Sequence, residues 1–147
     1  MSTRSCPGVL IVLAALALLA ACGGLSTPTF PDQSSVPFGV TELRAGDGAE
    51  AITGKTLTVN YAGWLYSPTA AENKGSLFDT NVGGTPLKFV LGAGQVIPGW
   101  DQGLAGLKAG GVRRLVIPPS LAYGPIGNSV VPPNAALVFE VELLSVQ

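Results

Sequence analysis

The sequence predicts an α+β domain, in which one antiparallel sheet packs against a single helix. Four segments have the alternation of apolar and polar residues, or the β-branched content, that is typical of strands, and they are residues 56–65, 87–91, 112–117 and 137–143. One segment between them carries apolar residues at helical spacing. Because strands and helices do not alternate along the chain, a parallel β-α-β sheet is not expected.

Each predicted strand has one apolar face. Residues 38–44 form a weaker fifth candidate, which ends before a Gly-Asp-Gly turn. In the next two candidates the apolar face comprises Leu57, Val59, Tyr61 and Leu65, and then Leu87, Phe89 and Leu91. The last candidate is the clearest, because Phe139 and Val141 alternate with Glu140 and Glu142. We therefore expect strands that are buried on one face only.

The single helix is predicted to begin near Pro98 and to end at the glycine pair 110–111. Its apolar stripe consists of Ile97, Trp100, Leu104 and Leu107. Gly103 and Gly106 each disfavour a helix by up to about 1 kcal/mol relative to alanine, so the helix needs the sheet for support. Residues 67–77 and 118–134 have the composition of loops.

The composition excludes several kinds of chemistry. The chain has 147 residues, a net charge of −1, two cysteines and no histidine. Catalytic systems that use Ser-His-Asp or Cys-His, HExxH zinc sites and histidine-ligated haem are therefore excluded. Two cysteines cannot form a four-cysteine metal site, and we expect neither a metal nor a cofactor. The near-zero charge also argues against a nucleic-acid partner.

The N-terminus has the pattern of a secretory signal. Residues 9–21 are all apolar and follow a segment whose only charge is Arg4. A helix of that length reaches about 20 Å, less than the roughly 30 Å of a bilayer core. An uncleaved anchor or a buried helix is the alternative. The Leu-Ala-Ala-Cys sequence at 19–22 resembles the lipobox of bacterial lipoproteins, which implies a lipid-anchored envelope protein with acylated Cys22 as its first residue.

These boundaries divide the chain into three parts. Residues 1–21 are the predicted signal peptide. Residues 22–37 are rich in Ser, Thr, Pro and Gly, and we expect a flexible tether there. Residues 38–147 are the predicted domain, which is long enough for one hydrophobic core.

Aromatic side chains are predicted to gather between the sheet and the helix. Tyr61, Phe89 and Phe139 lie on inward strand faces, and Trp100 lies on the helix stripe. For each of them a plain core role is the alternative. A buried tyrosine hydroxyl, however, needs a hydrogen-bond partner. Asp79 is a weak candidate, because a lone acid in a loop is usually solvated.

Six short motifs together resemble the FKBP family, the macrolide-binding peptidyl-prolyl cis-trans isomerases. They are Val-Asn-Tyr-Ala-Gly at 59–63, Phe-Asp at 78–79, Phe-Val-Leu-Gly at 89–92, Gln-Val-Ile-Pro-Gly-Trp at 95–100, Leu-Ala-Tyr-Gly at 121–124 and the run 131–143. The resemblance covers residues 40–147. It implies a five-stranded antiparallel sheet that curves around one short helix, with an apolar pocket between them.

The resemblance also implies the residues of the site. Those with an implied catalytic role are Tyr61, Asp79, Tyr123 and Phe139. Those with an implied substrate-binding role are Phe78, Phe89, Val96, Ile97, Trp100, Val130 and Val131. Trp100 corresponds to the pocket floor, Tyr123 to a hydroxyl in a mobile flap, and Val130 and Val131 to the apolar tip of that flap.

The sequence departs from the family pattern at several positions. Loop 80–85 lacks the arginine that often pairs with the aspartate at the position of Asp79, and Leu87 stands where a second phenylalanine is common. Asn128 and Ser129 lie in a shortened flap where some members have histidine. The role of Asp79 is the one most affected.

The implied function is isomerisation of X-Pro bonds in secreted or envelope proteins by a monomer. Its expected partners are proline-containing polypeptides, macrolides of the tacrolimus and rapamycin type, and a membrane that holds the lipid anchor. Two alternatives stay open at this stage. One is a non-catalytic proline-peptide clamp or holdase, and the other is a structural lipoprotein with a vestigial pocket.

Overall fold

Six strands form one antiparallel sheet in the computed structural model, which describes residues 29–147. The strands are β1 (Gly39–Arg44), β2 (Thr56–Tyr66), β3 (Lys74–Thr80), β4 (Leu87–Val90), β5 (Val112–Ile117) and β6 (Leu137–Val146). One α-helix, α1 (Pro98–Gly103), follows β4. Short 3₁₀ turns lie at Ala71–Asn73 and Pro119–Leu121. The predicted combination of an antiparallel sheet and one short helix is confirmed.

The sheet order is β1-β5-β6-β2-β3, and β4 also pairs with β2. The two strands β3 and β4 lie along successive halves of the same edge of β2. Residues Ala62 to Tyr66 pair with β3, and residues Thr56 to Val59 pair with β4. The six strands therefore occupy five positions across the sheet, which reconciles them with the predicted five-stranded arrangement.

The helix lies directly against β5. A Cβ atom on Gly99 would stand 2.5 Å from Ile117 Cγ2, and one on Gly103 would stand 2.6 Å from Leu115 Cδ2. These glycines, which weaken the helix in isolation, are what permit its close approach to the sheet. Trp100 on this helix and Leu104, the residue directly after it, are buried in the core.

The helix is shorter than predicted. It ends at Gly103 instead of extending to the glycine pair at 110–111. Gly106 has a φ of +81°, which a right-handed helix cannot include, and its N–H donates to the carbonyl of Ala51, 2.8 Å away. Leu107 is nevertheless buried, so its helical spacing reflects a core position after the helix has ended.

Part of the predicted loop 67–77 is a strand. Lys74 and Leu77 belong to β3 and pair with Tyr66 and Trp64 of β2. The segment is an edge strand that is largely exposed. Of its large apolar side chains only Phe78 packs on the core, so the sequence of the strand has no alternating apolar face.

The segment before β1 packs on the domain from Gln33 onward. Gln33 hydrogen-bonds to residues at the ends of β2 and β6, although the sequence places it in a flexible tether. The predicted signal peptide and Cys22 lie outside the described residues. Within residues 29–147, no helix is long and apolar enough to cross a membrane.

Candidate active site

A cavity of about 170 Å³ opens between the sheet, α1 and the loop after β5. The side chains that line it are Tyr61, Asp79, Leu87, Gln95, Val96, Ile97, Trp100, Tyr123 and Phe139. The structure thus brings together the four residues with implied catalytic roles. It also brings together three of the residues with implied binding roles, which are Val96, Ile97 and Trp100. Four strands, one helix and two loops contribute to this one cavity.

The indole of Trp100 forms the floor and is only 3% exposed. Its ring centroid lies 5.1 Å from that of Tyr61 and 5.3 Å from that of Phe139, both edge to face. Pro98 at the first helical position presets the backbone before Trp100. The backbone N–H of Trp100 donates to the carbonyl of Ile97 at 2.9 Å. The floor is therefore fixed by aromatic packing and by the start of the helix.

Two predicted wall residues support the cavity from behind. Phe89 packs against Trp100 with a centroid distance of 5.8 Å, and Phe78 packs against Phe139 at 5.6 Å. Gly63 makes room for this packing, since a Cβ atom there would lie 2.5 Å from Phe139 Cε1. Neither Phe78 nor Phe89 lines the open cavity.

One hydrogen bond dominates the polar side of the cavity. The Tyr61 hydroxyl donates to Asp79 Oδ2 over 2.8 Å. Burial, together with this hydrogen bond and the negative charge of Asp79, raises the pKa of Tyr61 to about 12. Burial and the same carboxylate also raise the pKa of Tyr123. Both hydroxyls therefore keep their protons at neutral pH and can donate hydrogen bonds.

A model of the family described as FKBP-type peptidyl-prolyl cis-trans isomerase matches residues 48–144. The chain belongs to this family. An FK506-binding protein of Neisseria meningitidis serogroup B is 49% identical over 109 residues, which are 73% of this chain and 94% of that protein. Peptidyl-prolyl cis-trans isomerase FKBP53 of Arabidopsis thaliana is 46% identical over 111 residues, which are 74% of this chain and 22% of that protein.

Solved FKBP structures share the fold. The crystal structure of AtFKBP13 matches with a TM-score of 0.63 and 34% identity, over 74% of this chain and 91% of that one. FkpA from Escherichia coli matches with a TM-score of 0.63 and 43% identity, over 78% of this chain and half of FkpA. The chain is thus an FKBP-type peptidyl-prolyl cis-trans isomerase by family, and the cavity lies between the sheet and the helix of that fold.

In this FKBP domain the partner of Asp79 is a tyrosine. Loop 80–85 has no arginine, and the Tyr61 hydroxyl donates a hydrogen bond to Oδ2 of the Asp79 carboxylate. The residues after Asp79 also hold the backbone of Tyr61. Thr80 Oγ1 donates to the Tyr61 carbonyl at 2.8 Å, and Asn81 Oδ1 accepts from the Tyr61 N–H at 2.7 Å.

The structural role of Asn81 has no signal in the sequence. Its Nδ2 donates to the Val59 carbonyl at 3.1 Å, so its side-chain amide pairs with β2 where β3 has ended and β4 has not begun. Gln95 is a second residue to which the sequence analysis assigns no role, although its side chain lines the cavity. Its Oε1 accepts from the Val90 N–H at 2.8 Å and so ties the loop that carries Val96 to β4.

The structure does not bring Val130 and Val131 to the cavity. Val131 is buried in the core, whereas Val130 is 55% exposed. Both border a separate surface depression that also includes Phe30 and Pro132. Asn128 Oδ1 accepts from the N–H groups of both valines, at 2.9 and 2.8 Å, and so fixes the turn that holds them. Residues 29–147 hold no cluster of acidic or cysteine side chains suited to a metal ion.

Proposed function

We propose that this FKBP-type isomerase accelerates the folding of secreted or cell-envelope proteins, as a monomer, by twisting X-Pro amides in the cavity above Trp100. The observation that carries the proposal is the cavity itself, about 170 Å³ in volume with a buried indole as its floor. An engineered protein cavity of about 150 Å³ holds benzene, so a proline ring fits here.

The chemistry needs no nucleophile. Partial double-bond character gives the amide a rotation barrier of about 18–20 kcal/mol. At the twisted transition state this resonance is lost and the carbonyl dipole shrinks. An aromatic cavity that favours the less polar state over the planar amide is therefore catalytic by differential binding. Each 1.36 kcal/mol of that preference gives about a tenfold rate increase.

We assign the polar groups to orientation of the peptide. Tyr123 stands at the mouth of the cavity and retains its proton, so it can donate to a substrate carbonyl. Tyr61 and Asp79 form one wall through their hydrogen bond, and Phe139 forms part of the apolar wall. Val130 is left out of this assignment, because it lies in a different depression.

An isomerisation assay tests the catalytic part of the proposal. The full chain in detergent is mixed with a peptide that has an apolar residue before proline, and cis-trans exchange is followed by NMR. We expect acceleration that tacrolimus abolishes, since FKBP proteins bind proline-containing substrates and FK506-type ligands. Peptide binding without acceleration, from a folded sample, would replace the enzyme with a proline-peptide clamp.

The cellular setting is the second part of the proposal, and it is supported by the lipobox-like sequence that ends at Cys22. We expect Cys22→Ser to abolish labelling by fatty acid in a bacterial host and to release the protein from the membrane fraction. Cys6→Ser is the matched control and should keep both properties. Retention of the Cys22→Ser variant in membranes would favour an uncleaved apolar helix.

A further inference from the structure

Tyr123 is carried to the cavity by a flap, residues 122–136, that has little secondary structure. The two ends of the flap are joined through its backbone. The Asn134 N–H donates to the Gly124 carbonyl at 3.0 Å, and the Gly124 N–H donates to the Pro119 carbonyl at 2.8 Å. Asn134 itself has a φ of +55°, a left-handed conformation that few residue types other than glycine adopt. The position of Tyr123 therefore depends on how firmly Asn134 is held.

Gln33 holds Asn134 from outside the flap. Its N–H donates to the Asn134 carbonyl at 3.0 Å. Its side-chain Oε1 accepts from the Ala136 N–H at 2.8 Å, and its Nε2 donates to the Tyr66 carbonyl at 3.1 Å. One residue thus connects the last residues of the flap to the end of β2.

The segment around Gln33 is shaped for this contact. Asp32 Oδ1 accepts from the Ser34 N–H at 2.9 Å, and the Val36 N–H donates to the Gln33 carbonyl at 3.0 Å. These bonds close a turn from residue 33 to residue 36, which presents the Gln33 side chain to the sheet. The amide is half-buried and uses both its donor and its acceptor.

We infer that Gln33 is a positioning residue for the isomerase reaction, because it fixes the end of the flap and, through Asn134 and Gly124, the backbone next to Tyr123. The inference rests on the proposed function of the cavity. It makes residues 29–36 part of the active domain, so a domain cut at Phe38 would keep the sheet and lose control of the flap.

The test compares Gln33→Ala with Gln102→Ala in the full chain. Gln102 is exposed on α1, and its side chain makes no hydrogen bond in the part of the chain that the structure describes. Amide hydrogen exchange is measured residue by residue, together with KM and kcat. Gln33→Ala keeps the backbone bond to Asn134 and loses the two side-chain bonds, to Ala136 and to Tyr66. We therefore expect the Ala136 amide, and with it the amides of Gly124 and Asn134, to exchange about tenfold faster, while amides between β5 and β6 stay protected.

The kinetic expectation separates positioning from general destabilisation. A displaced flap raises KM about threefold or more, because peptide contacts at the cavity mouth are lost. A smaller folded fraction would lower the apparent kcat and leave KM unchanged. Gln33→Glu retains the acceptor for Ala136 and should give an intermediate exchange rate and KM.

Two results would overturn the inference. One is exchange and kinetics of Gln33→Ala that match those of Gln102→Ala. The other is faster exchange throughout the sheet, which would make Gln33 a general stabilising residue. The exchange measurement does not depend on catalysis. An inactive wild-type chain would therefore count against the proposed function and leave the result on the flap intact.

Discussion

The two faces of the sheet use opposite chemistry although the same strands build both. Phe139 and Glu140 are neighbours on β6, yet Phe139 packs on the Trp100 floor and Glu140 lies on the outer face. The cavity face is aromatic, with Asp79 as the acidic group of its lining. Because successive side chains of a strand point to opposite faces, the ion pairs that stabilise the sheet lie on the face opposite the cavity. The cavity itself can therefore stay apolar.

The outer face contains a network of two acids and two bases. Glu140 Oε1 lies 2.5 Å from Lys74 Nζ and 2.8 Å from Arg114 Nη2, and Glu72 contacts the same two bases at 2.8 and 2.6 Å. Lys74 Nζ also stands 4.7 Å from the ring centroid of Trp64. Burial raises the pKa of Glu140, but hydrogen bonds from Lys74 and Arg114 outweigh it and leave this pKa below its usual value. The network links β3, β5 and β6 and carries no net charge.

The two tryptophans give the largest expected contrast between the faces. Trp100→Ala should lower kcat/KM more than about tenfold, because it removes the cavity floor, and should cost about 3–5 kcal/mol of unfolding free energy. Trp64→Ala, on the outer face, should leave kcat/KM within about twofold and cost less stability, since Trp64 is only partly buried.

Isomerisation kinetics, tacrolimus binding and urea unfolding measure this contrast. If Trp100→Ala does not fold, Trp100→Phe is used for the same measurements, because it retains an aromatic floor of smaller area. It should fold and bind tacrolimus more weakly than the wild type. Unchanged affinity in both Trp100 variants would place the binding site elsewhere.

The parts of the fold that sequence could predict are those with local signatures. Alternation or β-branched content identified five of the six strands, and proline followed by an apolar stripe identified the start of α1. The end of α1 could not be predicted, because the turn at Gly106 depends on a contact with Ala51 that is distant in sequence. β3 could not be predicted for a different reason, because the composition of this exposed edge strand is that of a loop.

The site divides in the same way. The family motifs contain the aromatic residues that the structure brings together around Trp100. Gln33 and Asn81 act through single side-chain amides that bond to distant backbone, and Gln33 lies 103 positions from Ala136. Such contacts leave no periodicity in the sequence. The resemblance implied that Val130 and Val131 form a flap tip, but it could not show that both border a depression separate from the cavity.

A second, smaller effect should come from the outer face. Glu140→Gln leaves Lys74 and Arg114 with Glu72 alone, and we expect a loss of about 1–3 kcal/mol in unfolding free energy because the Glu140 side chain is only 25% exposed. Glu142→Gln is the matched control on the same strand, since its pair with Arg44 is more exposed and should contribute under about 1 kcal/mol. Neither variant should change kcat/KM, and equal destabilisation by both would contradict a special role for the network.

The smallest expected effect is the loss of one hydroxyl in the cavity. Tyr61→Phe removes the hydrogen bond to Asp79 and should lower kcat/KM by about two- to fivefold, as expected for one hydrogen bond. Tyr66→Phe is the control for removal of a phenol outside the cavity. Its kcat/KM should match that of the wild type.

Tyr61→Phe also distinguishes the two faces of the sheet by the pH dependence of the free energy of unfolding. The pKa of Tyr61 is about 12 in the folded chain and 10.0 ordinarily, so the folded state holds a proton that the unfolded state loses between these values. The stability contributed by the protonated hydroxyl is therefore complete below pH 10.0 and lost as pH rises toward about 12. Glu140 behaves in the opposite sense, because its folded pKa lies below the ordinary 4.5. Its contribution is complete above pH 4.5 and is lost as pH falls through the folded value.

Urea unfolding midpoints across both pH ranges test this assignment. Tyr61→Phe should reduce the slope of the alkaline decline, to which Tyr123 also contributes, and should leave the acid side unchanged. Glu140→Gln should reduce the slope on the acid side only. The comparison with wild type removes every contribution that the two chains share. An alkaline decline of the same slope in Tyr61→Phe and wild type would show that protonation of the buried Tyr61 hydroxyl does not couple to folding, and it would contradict the raised pKa of this residue.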